Sequence, residues 1–200
     1  MNIEEFKKKY DIRIDELEEF TRIQVKEDES EEFYQELGEC IKDFKGKVSI
    51  ANGIMGNATK EEFLQGEKII QEVVEGIDPN WSEKQKVAFV HYKIGILISY
   101  VPDFNFSGRF VNSPISSDAR NIVDGKSVCN GIISITRNIL SRTGVHTKEL
   151  SSGTHSFLLA ETEEGNIITD PTWDLKNSLY GARPMYFGKT YEQLREQEEG

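Results

Sequence analysis

The chain carries two cysteines and three histidines in 200 residues, and one of each falls where its side chain can do covalent chemistry. Cys129 lies in VDGKSVCNGIISI, after a glycine-bearing turn and at the start of an amphipathic segment. Val128, Ile132, Ile135 and Ile139 line one face of the helix this predicts, and Gly144 ends it. A thiol in a helix's first turn points at backbone N–H groups with no partner and at the positive end of the dipole, and both favour thiolate. Gly131, with no side chain, is expected to let a substrate carbonyl approach the backbone. His155 opens HSFLLAET, and Asp170 lies within NIITDPTW. A carboxylate beside a histidine fixes its tautomer and stabilises the imidazolium, and an imidazole so held can take a proton from cysteine. Together the three are candidates for a Cys–His–Asp triad. Each also has a plainer reading: a buried structural cysteine, a satisfied strand-end histidine, and an Asp-Pro turn starter.

These side chains meet only if the surrounding elements bring them together. After the Cys129 helix the apolar period changes from 3.6 to 2. HTKELSS, HSFLLAET and NIITDPTW, divided by the turn signals Ser152-Gly153 and Glu164-Gly165, read as consecutive antiparallel strands, and PMYFG reads as another. In an antiparallel pair the numbers of facing residues add to a constant. Those of His155 and Asp170 add to an odd number, so an even hairpin loop, such as Glu163-Glu164, puts both on one face, opposite or one diagonal apart. Upstream, Phe33, Leu37, Ile41 and Phe44, then Phe63, Ile70, Val73 and Ile77, then Val87, Val90, Ile94, Leu97 and Val101 recur at helical spacing. Thr59 with Glu62 and Ser82 with Gln85 have capping-box spacing and fix two helix starts. Ala51–Thr59 and Val101–Pro114 read as loops. Helices first and a strand meander afterwards make the fold α+β, with residues 1–80 as an acidic helical region and residues 81–200 as the core.

The pieces KSVCNGIISITRNILSRTGV, GTHSFLLAE and NIITDPTWDL, in this order, resemble the core of the transglutaminase-like cysteine enzyme superfamily. The resemblance extends more weakly over residues 81–188, and residues 1–80 carry none of it. It implies a papain-like fold, with a Cys-bearing helix packed on an antiparallel sheet. It implies Cys129 as nucleophile, His155 as general base and acid, Asp170 as the residue orienting His155, and Trp173 packed beside the Asp-bearing strand. Where the family often has glycine two residues before the cysteine, this chain has Ser127, with Gly125 two further back. Charge developing on a substrate oxygen needs a second donor beside the Cys129 N–H. Asn112, Asn121 and Tyr100 can each supply it.

The expected function is therefore acyl transfer on protein or peptide substrates through a Cys129 thioester, as protease, glutamine deamidase or transglutaminase. The alternative is a catalytically silent domain of this kind that binds a protein partner through its acidic helices. Residues 1–40 contain 14 acids and 6 bases, a net of −8 out of −11 for the whole chain. A field of that sign repels phosphate, so neither nucleic acid nor an anionic membrane is expected as a partner. DGKS lacks the first glycine of a phosphate-binding loop, since Arg120 stands there. The histidines and cysteines have neither HExxH nor CxxC spacing, so no metal and no cofactor is expected. Without a signal or spanning stretch the protein is expected in the cytoplasm, with Cys40 and Cys129 as free thiols. His91 reads as a histidine at the edge of its helix's apolar stripe.

Overall fold

A computed structural model of the protein describes residues 1–18, 20–25, 29–52, 56–100, 118–152, 155–178, 187–190, 193 and 196. The fold is α+β and is built around two large apolar clusters.

The first cluster belongs to the N-terminal part. Here α1 (Ile3–Tyr10) and α2 (Glu31–Lys42) pack with a four-stranded sheet of β1 (Arg13–Glu16), β2 (Thr21–Val25), β3 (Val48–Asn52) and β4 (Gly56–Thr59). The order is β1-β2-β3-β4; β2 and β3 run parallel, joined through α2, and the outer pairs are antiparallel. Ile23 and Val25 on β2 and Val48 and Ile50 on β3 alternate with more exposed residues, so each strand sends one face inward. They bury Phe6, Phe33, Leu37 and Ile41. The helical region expected over residues 1–80 thus contains a mixed four-stranded sheet besides its helices. Strands of four or five residues, one reading Arg-Ile-Asp-Glu, carry too short an alternation to stand out against charge. The loop expected at Ala51–Thr59 is likewise replaced, apart from residues 53–55, by the end of β3 and by β4.

The second cluster forms where α4 (Glu83–Leu97) and α6 (Cys129–Arg142) pack on a sheet of β7 (His146–Ser152), β8 (His155–Thr162), β9 (Gly165–Thr169) and β10 (Phe187–Lys189), in the order β10-β9-β8-β7, all antiparallel. Ile132, Ile135 and Ile139 are fully buried, as the 3.6 period requires, against Ile94, Val145, Ala160 and Ile167. The predicted strand NIITDPTW stops at Thr169, and Pro171 opens α7 (Pro171–Ser178). Proline is suited to a helix's first position because its fixed φ is already helical and its missing N–H has no bond to make there.

Helix α3 (Lys60–Glu75) joins the two cores, giving Phe63 to the first and Ile70 and Val73 to the second. A division at residue 80 therefore falls after the shared element. Both predicted capping boxes form, Thr59 with Glu62 and Ser82 with Gln85. The short α5 (Asp118–Asp124) lies so close to α3 that a Cβ on Gly66 would come within 2.5 Å of Ala119 Cα. A second tie is ionic. The Arg142 side chain at the end of α6 is fully buried, held by Glu67 of α3 through two bonds of 2.8 Å and stacked 3.8 Å from the ring centre of Tyr34 in α2. Among the described residues no helix is long and apolar enough to cross a membrane.

Candidate active site

The nucleophile candidate is positioned by the start of α6. Gly125, at φ +63, turns α5 into β6 (Lys126–Ser127), a left-handed conformation that L side chains rarely adopt. Strand β6 pairs in parallel with β5 (Ser99–Tyr100), which sets Tyr100 opposite Ser127. The helix then begins at Cys129 with Val128 as its N-cap, and no side chain caps it. Valine has no oxygen to offer the first-turn N–H groups, so these remain for another acceptor.

The acceptor is the sulfur. Burial pushes the Cys129 thiol up, but the His155 side chain and the backbone N–H groups of Ser156 and Asn130 outweigh it and hold the pKa below the ordinary thiol value. Asn130 Oδ1 lies 3.9 Å from the sulfur. His155 is within hydrogen-bonding reach of Cys129 on one side, and its Nε2 lies 2.5 Å from Asp170 Oδ2 on the other. With Nε2 committed to Asp170, Nδ1 is the ring nitrogen left for sulfur, the reverse of the assignment in the serine triad. Burial pulls the imidazole down; its bonds to Asp170 and Cys129 win and push it up to about 9. The contact thus favours thiolate on Cys129 and the charged imidazole on His155, each stabilising the other.

The hairpin parity holds. The β8–β9 loop has two residues, Thr162 faces Gly165, and Leu158 faces Thr169, which leaves His155 one diagonal from Asp170 on the same face. Asp170 divides its carboxylate between two tasks: Oδ2 binds His155, and Oδ1 accepts the Trp173 N–H at 3.3 Å, capping α7. Trp173 sits in the first turn of α7, with its ring edge-on to His155 at 5.5 Å.

The other candidates separate. Tyr100 lies close enough to Cys129 for the sulfur's charge to add to the burial that raises its phenol pKa. Asn121 is 1% exposed, is already engaged within the protein, and has its Nδ2 2.7 Å from where a Gly131 Cβ would stand. Asn112 lies outside the described residues. Gly131 also has a different reason from the one expected: a Cβ there would meet the fully buried Ser127 at 2.0 Å from Oγ, so its missing side chain makes room for β6 and α5 and not for a substrate.

Three groups at the site escaped sequence reasoning. The Ser156 N–H gives no sign in sequence because it is backbone. Asn130 is next to the nucleophile and was legible as the second residue of α6. His91, buried on α4, contacts Thr169 and Asp174 on either side of Asp170, and the residue's burial was the signal missed. Among the described residues no group of three His, Cys, Asp or Glu side chains is arranged to hold a metal ion. The chain matches no protein-family model, and no curated protein aligns with it significantly.

Proposed function

We propose that the protein is a transglutaminase-like cysteine acyl-transfer enzyme with a papain-like core, acting on carboxamide or peptide carbonyls of proteins or peptides. One observation carries this reading: an activated thiol at an uncapped helix start, in line with a histidine whose far nitrogen is fixed by a buried carboxylate. A structural cysteine in a core requires neither the open helix end nor the charged partner.

In the first half-reaction the Cys129 thiolate attacks the carbonyl carbon, forming the C–S bond, and the carbonyl π electrons move to oxygen. The Cys129 N–H faces that oxyanion, with the Tyr100 hydroxyl as the second donor. The tetrahedral intermediate collapses as the C–N bond breaks, and His155 passes its proton to the departing nitrogen, releasing ammonia from a glutamine side chain or an amine from a peptide. Asp170 keeps the imidazole oriented throughout. In the second half a water or an amine attacks the thioester, neutral His155 takes its proton, and the thiolate leaves. Water gives an acid and an amine a new amide, so the acceptor separates cross-linking from the two hydrolytic outcomes, and the nitrogen released, peptide amine or ammonia, separates peptide hydrolysis from deamidation.

The test is release of ammonia or amine from glutamine-containing peptides, with thermal unfolding measured alongside. Cys129→Ala is expected to abolish turnover while changing stability by about 1 kcal/mol or less. Asp170→Asn should lower the rate by roughly 10²- to 10⁴-fold, the upper value being that of the serine triad. Turnover retained by Cys129→Ala refutes the proposal.

A further inference from the structure

A second buried histidine–aspartate contact stands directly behind the first. His91, from the middle of α4, is 7% exposed. Its Nδ1 lies 2.8 Å from Thr169 Oγ1, and its Nε2 lies 2.8 Å from Asp174 Oδ2, off the axis of the ring N–H. Phe187 of β10 packs edge-on to the ring at 5.2 Å. Thr169 and Asp174 are themselves buried, at 0% and 8% exposure.

The two residues His91 contacts bracket Asp170. Thr169 is the last residue of β9, paired across to Leu158 on one side and Phe187 on the other. Asp174 stands in the first turn of α7, its N–H 3.4 Å from the Asp170 carbonyl. A single imidazole thus touches the strand end and the helix start between which the chain turns at Asp170. That turn decides where Oδ2 points. Asp170 has no slack of its own, because its two oxygens already serve His155 and the α7 cap. A sheet-to-helix turn held only at its own cap can rock about the strand end; one pinned from a third element cannot. The ring thus spans the two, with Nδ1 against the Thr169 hydroxyl and Nε2 against the Asp174 carboxylate.

We infer that His91 is a positioning residue for the reaction, fixing the strand-to-helix turn that aims Asp170 at His155. The inference rests on the reading of Cys129, His155 and Asp170 as the catalytic line. Helix α4 then serves both sides of the site, because its C-terminal end leads into β5 and Tyr100 beside Cys129, while its middle holds the Asp170 turn. His91 touches neither sulfur nor substrate, so its loss acts through the His155–Asp170 bond.

The pH dependence of Cys129 alkylation by iodoacetamide reads that bond directly, because a less basic His155 raises the pKa of its thiolate partner. Among the described residues, the titratable groups that face this pair are Asp170 against His155 and Tyr100 beside Cys129. Wild type, Asp170→Asn, His91→Leu, His91→Gln and Thr169→Val are compared, together with kcat and KM on a glutamine peptide. His91→Leu should move the alkylation profile to higher pH in the direction of Asp170→Asn, and lower kcat by about 10- to 100-fold with KM little changed, as expected for a small misplacement at a reacting centre. His91→Gln, whose amide N–H can still reach Asp174, should recover part of both. If His91→Leu does not fold, Thr169→Val, which deletes one hydroxyl, must show the same shift at smaller size. An alkylation profile unmoved in folded His91→Leu, or in Thr169→Val where the former is unfolded, overturns the inference provided Asp170→Asn moves it. If Asp170→Asn itself leaves the profile unmoved, it is the catalytic reading of Asp170 that falls.

Discussion

Cys40 and Cys129 are buried to nearly the same extent, 8% and 9% exposed, the first within the N-terminal core and the second at the start of α6, and their thiols are shifted in opposite directions. Cys40 stands near the end of α2, where burial raises its pKa and no histidine contributes. Cys129 stands at the beginning of α6, where the same desolvation is outweighed by backbone N–H groups and His155. Burial by itself therefore does not distinguish an inert thiol from an activated one; the histidine beside it and the neighbouring backbone N–H groups do. The helix starts differ in the same sense. Ser30 caps α2 by accepting the Phe33 N–H at 3.2 Å, whereas Val128 leaves α6 open. A closed start adds stability and removes an anion site; an open one keeps the site.

Several measurements can break or sharpen this contrast. The largest effect expected is in alkylation: at pH 7 the folded protein should lose Cys129 to iodoacetamide at least about tenfold faster than Cys40, by peptide mass spectrometry, because thiolate is the reacting form. The sign of the pH dependence follows from the shifts. Lowering pH through the range below an ordinary thiol should silence Cys40 first and leave Cys129 reacting. Equal rates, or Cys40 ahead, would break the comparison. A smaller effect is expected from closing the open helix. Val128→Thr keeps the shape and supplies an oxygen to the first-turn N–H groups; a cap worth about 1 kcal/mol corresponds to roughly a fivefold loss of reactivity at Cys129. The smallest is in the other core. Ser30→Ala should cost about 1 kcal/mol of stability in thermal unfolding and leave the reactivity of both cysteines where it was.

Much of the site could be read in the sequence because it is local or governed by parity. The start of α6 follows from the spacing of Ile132, Ile135 and Ile139, and a two-residue turn at Glu163-Glu164 is enough to set His155 and Asp170 on one face. The capping boxes at Thr59 and Ser82 gave helix starts to the residue. What escaped depends on contacts between distant parts of the chain. The parallel pairing of Thr21–Val25 with Val48–Asn52 closes over a helix, and neither strand is long enough to show its period. The place of Tyr100 beside Cys129 arises from a two-residue bridge between β5 and β6, and nothing in either dipeptide foretells it. Asp-Pro-Thr-Trp reads as strand because Ile167 and Ile168 lead into it, yet Asp170 and Pro171 have the capping chemistry of a helix start, and that is what forms.

The Arg142 anchor bears on how the chain can be dissected. Its guanidinium, wholly inside, draws Glu67 from α3 and the ring of Tyr34 from α2, and the helix it terminates begins with Cys129. A fragment starting at residue 81 would keep every residue of the proposed triad and yet strand that cation without its counter-charge, a loss of about 3 to 5 kcal/mol for a buried pair with one member removed, besides exposing the apolar side that Ile70 and Val73 cover. The acidic N-terminal part, residues 1–80, is on this account a structural portion of the body that carries Cys129, and a domain boundary drawn from where the motifs begin would cut through the support of α6.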